Sequence, residues 1–176
     1  LIFTVPLAIA CAVFLNETRS RFRRPVRIFV DAMSGLPSIV AGLFIYAVLI
    51  LPFGTSGSIF GFNGFMASLA LAMIMLPTVT RTIEVVLRLV PDGLREASLA
   101  MGASRARTVW SVVLPTARSG VTTGVVLGIA RAVGETAPLL FTAFSSQYWS
   151  LDLTQPMSNV PVVVFQYAAS PYESWQ

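Results

Sequence analysis

The sequence predicts an all-α, polytopic helical membrane protein, and three observations carry that prediction. Hydrophobic residues make up 55% of the chain and charged residues 11%, with a mean hydropathy of +0.76; soluble domains carry about 25% charged residues. Charge is missing from long windows: Leu1 to Asn16 and Ala32 to Thr80 have none, and Ser119 to Ser150 has only Arg131 and Glu135. The basic residues concentrate in two short stretches between these windows. A spanning helix needs about 20 mostly apolar residues, which leaves room for about four spans.

Residue types exclude several chemistries. All 12 basic residues are Arg, with no Lys and no His. A phosphate-binding loop that hydrolyses ATP needs its Lys, and the common zinc and nucleophile sites need His. The single Cys, Cys11, sits in an apolar run and reads as a packing residue. No cofactor or metal is expected, and no residue of this chain is expected to break a bond. The chain opens on Leu1 inside an apolar run and stops at Gln176 without a closing helix. A single transmembrane domain over 1–176, truncated at both ends, is therefore expected.

Leu1 to Leu15 reads as the tail of a spanning helix. Asn16 to Arg27 follows, with Arg19, Arg21, Arg23, Arg24 and Arg27 against Glu17. Short Arg-rich loops stay cytoplasmic, and between two spans such a loop meets anionic lipid headgroups rather than nucleic acid. Ile28 to Leu51 is the second span; Pro37 predicts a kink, and Gly35 and Gly42 allow close backbone approach. Pro52 to Gly64 is glycine-rich and uncharged, an external loop. Phe65 to Val90 is the third span. Arg81 lies about 24 Å in from Phe65, placed to snorkel to the interface or pair with Glu84.

Val90 to Arg118 returns to the cytoplasmic side with Arg95, Arg105, Arg107 and Arg118. Pro91 ends the preceding helix and Asp92 is expected to cap a new one. Ser119 to Ser145 is the fourth span. Gly120, Gly124 and Gly128 form a small-residue stripe for close helix packing. Arg131, about 18 Å along this helix, and Glu135 share one face. Ionisable groups at that depth face a bundle interior or a water-filled path. Ser146 to Gln176 holds Asp152 and Glu173 and no base, which fits the external side. Within it Val160 to Ala168 is too short to span and reads as re-entrant or interfacial.

Glu96-Ala97-Ser98, then Gly102, then Val112, Leu114 and Pro115 resemble the EAA loop of ABC-transporter permease subunits. Both spacings of that loop are kept, with Ser98 in place of Ala and Val112 in place of Ile. Gly35 to Phe44 (GLPSIVAGLF) and Arg131 to Ala143 (RAVGETAPLLFTA) are similar to the permease subunits of the bacterial phosphate-specific transporter, nearer its A-type than its C-type subunit. The resemblance implies a type I ABC importer permease bundle in the bacterial inner membrane, with a six-span core. It implies a non-catalytic subunit that couples to ATPase subunits through residues 91–118. The other implied partners are a second homologous permease, an extracytoplasmic phosphate-binding protein and inorganic phosphate.

On that resemblance Glu96, Ala97, Gly102, Leu114 and Pro115 are the ATPase-coupling residues. Gly102 is expected where two backbones approach, and Pro115 where the helix ends and the chain turns into the next span. Arg131, Glu135 and Arg81 are the substrate-path residues, since Arg offers a permanent charge and a forked donor array to phosphate oxygens. Three readings stay open on the residues alone. The chain serves a phosphate importer, an importer of another oxyanion such as sulfate or molybdate, or a secondary anion transporter. A purely structural Arg131–Glu135 pair also remains possible.

Overall fold

The computed structural model describes residues 1–18, 20–54, 59–143, 146 and 150–170. Arg19 of the Arg-rich loop, residues 55–58 of the glycine-rich loop, Phe144 and Ser145 at the end of the fourth expected span, and Glu173 lie outside the described residues. Every described regular element is helical. The chain divides into two compact units, each built from two stretches: Leu1–Gly35 with Met75–Ala130, and Leu36–Ile74 with Arg131–Gln176.

The first unit contains α1 (Thr4–Glu17), α2 (Arg23–Ser34), the later part of α5 (Gly64–Arg88), α6 (Asp92–Ala100), α7 (Arg105–Thr108), α8 (Leu114–Thr116) and most of α9 (Arg118–Gly134). Its core joins Ala8 and Ala12 of α1 to Met75, Val79, Ile83 and Leu87 of α5, with Val113 and Ala117. The spacing of four along α5 puts these side chains on one face. The glycine stripe of α9 lies against that helix. A Cβ on Gly120 would strike Val86, one on Gly124 would sit 3.2–3.3 Å from Thr82 and Ile83, and one on Gly128 would strike Val79. Rising numbers on α9 meet falling numbers on α5, so the two helices run antiparallel. Missing side chains let their backbones close up.

The second unit contains α3 (Ser38–Ile45), a π-helical turn at Tyr46–Ile50, α4 (Leu51–Phe53), the start of α5, α10 (Ala137–Leu140) and α11 (Val160–Ala168). Two small cores hold it: Ile45, Ile50, Met66 and Ala70, and Ala67, Leu139, Ala143 and Val162. The two sequence segments that carry the closer resemblance meet here. A Cβ on Gly42 would lie 2.5 Å from the Pro138 Cα, so α3 and α10 touch backbone to backbone. The first donors of α5 are met by loop oxygens: Phe65 N–H donates to Leu153 O at 2.9 Å and Met66 N–H to Asn63 Oδ1 at 2.9 Å.

Only one of the expected spans is a single long helix. α5 runs 25 residues straight through Pro77, about 37 Å, enough for a ~30 Å hydrocarbon core. The segment Ile28 to Leu51 is broken rather than kinked: α2 stops at Ser34 and α3 starts at Ser38, with Pro37 extended at ψ 139°. The residue before a proline is pushed out of the helical region. The fourth span is shorter than expected, because α9 ends at Gly134 instead of running toward Ser145. Pro138 cannot donate to the Gly134 carbonyl and its ring would strike it. Counting each bent pair (α2 with α3–α4, and α7–α8 with α9) as one span gives up to three, and α1 is a shorter apolar helix.

The two Leu-Pro steps share one device. Leu51-Pro52 and Leu114-Pro115 each follow a π-helical turn, Tyr46–Ile50 and Val109–Val113. Leu51 N–H reaches back five residues to Tyr46 O, and Leu114 N–H to Val109 O. The wider turn relieves the clash between the proline ring and the preceding turn. Thr116 Oγ1 donates to the Val112 carbonyl at 2.7 Å, occupying an acceptor in the distorted turn.

Candidate functional site

Residues 91–118 fold as helix, turn, helix. α6 starts at Asp92, and Asp92 is its first residue rather than its cap: the N-cap is Pro91 and no side chain bonds the first turn. Asp92 instead accepts from Arg95 Nη1 at 3.1 Å. The turn out of α6 falls on Gly102, whose φ is +84°. Among the described residues nothing lies within 4 Å of a Cβ placed there. Within this chain the glycine is needed for its left-handed conformation.

Ser98 explains its own departure from the Glu-Ala-Ala pattern. It is buried, and its hydroxyl lies 2.9 Å from Thr108 Oγ1, also buried. The pair ties α6 to α7 where two apolar side chains would only touch. Ser104 Oγ caps α7 by accepting from Arg107 N–H at 3.3 Å. Pro115 sits inside α8, and the helical run continues past it; the 73° bend into α9 comes at Ala117. The expected helix end is thus two residues late, because the π turn absorbs the proline. Glu96, Ala97, Gly102 and Pro115 are exposed, and Leu114 is half-buried against the core of its unit. Met101 and Trp110 stand out at 82% and 71% exposure. A groove of about 990 Å³ lies beside the segment, lined by Glu17, Arg23, Arg88, Arg95, Glu96 and Arg105 among others.

Arg81 is the centre of a second cluster that sequence reasoning only half found. Glu84, whose side chain is 2% exposed, is gripped by three arginines: Arg27 from α2, Arg81 Nη1 at 2.6 Å and Arg88 Nη2 at 2.5 Å from its own helix. Arg81 also pairs with Asp31 of α2. Arg81, Glu84 and Arg88 recur at three and four residues, the spacing that puts them on one helix face. Arg27 and Asp31 do the same on α2. Those two spacings were the available signal. What they cannot reveal is that Glu84 faces inward and that α2 brings its charges to it.

The Arg131–Glu135 pair is looser. Arg131 lies in the last turn of α9 and Glu135 just past its end, with Nε 3.5 Å from Oε1. That distance is too long for a strong hydrogen bond. Arg131 keeps 44% of its side chain exposed, Glu135 16%. Asn159 Nδ2 donates to the Glu135 carbonyl at 3.3 Å while its Oδ1 caps α11 at Val162. This fixes the non-helical peptide that carries the carboxylate. Among the described residues no group of three or more His, Cys, Asp or Glu side chains is placed to hold a metal ion.

Comparison with known proteins places these features in context. Residues 4–170 match the family described as "Binding-protein-dependent transport system inner membrane component". The phosphate transport system permease protein PstA of Yersinia pestis is 42% identical over 173 residues, covering 97% of this chain and 57% of that protein. The protein of the same name from Xylella fastidiosa (strain 9a5c) is 42% identical over 178 residues, covering 100% and 60%. That from Pasteurella multocida is 41% identical over 172 residues, covering 97% and 59%. The chain thus spans about three fifths of the length of these curated relatives. It belongs to the family of binding-protein-dependent transport system inner membrane components.

Proposed function

We propose that this family member is a membrane-spanning, non-catalytic permease subunit of an ATP-driven importer of inorganic phosphate. It contributes half of a translocation path and is driven by ATPase subunits. A second homologous permease completes the path, and an extracytoplasmic binding protein delivers phosphate. The observation that carries this reading is the identity of about two residues in five to phosphate permeases along the whole chain. The Glu96–Pro115 spacing supports the ATPase contact.

The domain reading is one permease domain with residues 91–118 as its cytoplasmic coupling loop. Glu96, Ala97 and Gly102 form the exposed edge offered to the ATPase. Leu114 and Pro115 carry the movement toward α9. Arg131 is the first candidate for meeting phosphate. It has a permanent charge, a 3.5 Å partner and free donors on a side chain 44% exposed. A phosphate oxygen can displace Glu135 and take a bidentate bond; the carboxylate closes on the guanidinium again after release, or accepts from a protonated phosphate. Arg81 is the second candidate, held more tightly by Glu84 and Asp31.

The deciding experiment measures uptake of labelled phosphate in cells lacking this subunit, complemented with the wild-type protein or with Arg131→Ala. Wild type restores uptake; Arg131→Ala does not, although its complex assembles and hydrolyses ATP. Normal uptake by the variant removes Arg131 from the path. Competition by sulfate or molybdate at concentrations equal to phosphate would move the reading to another oxyanion. Uptake that fails on addition of a protonophore with ATP present would move it to a secondary transporter.

A further inference from the structure

Arg95 and Glu96 are neighbours on α6 with opposite surroundings. Glu96 is exposed. Arg95 points into its own unit, with 17% of its side chain exposed, and all three of its guanidinium nitrogens are engaged. Nε and Nη2 donate to Glu17 Oε1 at 3.2 and 2.9 Å. Nη2 also donates to the Leu87 carbonyl at 2.9 Å, and Nη1 to the Val90 carbonyl at 2.6 Å. Nη1 reaches Asp92 at 3.1 Å as well.

Apart from Asp92 on α6 itself, the partners come from two other parts of the unit. Glu17 is the last residue of α1, Leu87 is in the last turn of α5, and Val90 lies two residues past its end. The helix does not continue past them, and the Leu87 carbonyl otherwise accepts from Val90 N–H at a long 3.4 Å. One side chain of α6 therefore caps α5 and holds the end of α1, 78 residues away in sequence. The guanidinium is planar and its donors are fixed relative to one another. If α6 moves, Arg95 cannot keep all three attachments unless the ends of α1 and α5 move with it.

We propose that Arg95 is the positioning residue through which a displacement of α6 is carried to α1 and α5. This rests on the importer reading above, in which α6 takes up the movement of the ATPase. A residue that only braced the fold would change the amount of assembled complex, with transport and hydrolysis falling together. A residue that transmits movement changes the ratio between them.

The test uses the full-length subunit in its assembled complex, reconstituted in vesicles with the binding protein inside a phosphate-uptake assay. Phosphate moved and ATP hydrolysed are measured together. Wild-type vesicles transport with ATP. Arg95→Ala lowers phosphate moved per ATP by roughly tenfold, and Glu17→Ala, which frees only α1, by roughly threefold. Glu17→Gln, which keeps an acceptor oxygen, restores most of the ratio. Arg95→Lys keeps the charge but not the fork, and stays close to Arg95→Ala. A wild-type ratio in Arg95→Ala overturns the assignment. If Arg95→Ala does not assemble, Glu17→Ala decides: a lowered ratio supports the assignment and an unchanged one overturns it. Wild-type vesicles that take up no phosphate with ATP overturn the importer reading and this proposal with it.

Discussion

Glu84 and Glu135 each follow an arginine by about one helical turn, yet the two pairs sit in opposite surroundings. Glu84 is buried and shared by three arginines from two helices, and one of these, Arg81, has a second carboxylate in Asp31. Among the described residues Glu135 pairs with one arginine, Arg131, at 3.5 Å, on the far side of a helix end. The first arrangement spends its charges on one another. The second leaves 44% of the Arg131 side chain exposed. Sequence spacing alone makes the two look alike; burial and the number of partners separate them.

The largest effect that would break this contrast is at the closed cluster. Glu84→Ala takes the buried carboxylate from three guanidinium groups, of which Arg81 keeps Asp31, and is expected to destabilise the protein by about 3 kcal/mol. Thermal unfolding of the purified protein in detergent reads this directly. A wild-type midpoint would mean that the cluster is not structural. Gly124→Val disturbs the same cluster without touching a charge. Its side chain presses on Thr82 and Ile83, which lie between Arg81 and Glu84. Overpacking of this kind costs about 1–3 kcal/mol, visible as a lowered midpoint in the same melt.

Smaller effects sharpen the contrast further. Arg88→Ala removes one of the three arginines, and since Arg88 is half-exposed the loss is about 1 kcal/mol or less. Glu84 keeps its other two partners, so the variant melts close to wild type. At the open pair Glu135→Ala is expected to change stability by about 0.5 kcal/mol or less, while altering phosphate uptake. A large stability loss there, with uptake following protein amount, would make Arg131–Glu135 a structural pair like the first.

Much of this organisation was legible in the residues. The glycine stripe at 120, 124 and 128 announced a close helix contact, and α9 makes that contact with α5. The nine residues of α11 fall where a segment too short to span was expected. Short helices were expected between Val90 and Arg118, and α6, α7 and α8 form there. These are local properties: periodicity along a helix and fixed offsets along a loop. Proline was the weak point. Pro37 breaks a helix, Pro77 is absorbed in one, and Pro115 is carried past a π turn. The residue is the same, and the packing around it chooses among these outcomes.

The sequence by itself determined a membrane-embedded helical protein without ATP-hydrolysing or metal chemistry of the common kinds. Composition, charge-free length and residue types settle those matters without knowledge of neighbours. Only the tertiary structure decided which charges are consumed and which remain free. Arg27 reaches Glu84 across 57 residues and Arg95 reaches Glu17 across 78. It also decided that Gly102 serves a left-handed turn and that Ser98 meets Thr108. A charge or a hydroxyl acquires its role from what surrounds it once water is excluded. Those surroundings are assembled from segments distant in the chain, which local spacing does not encode.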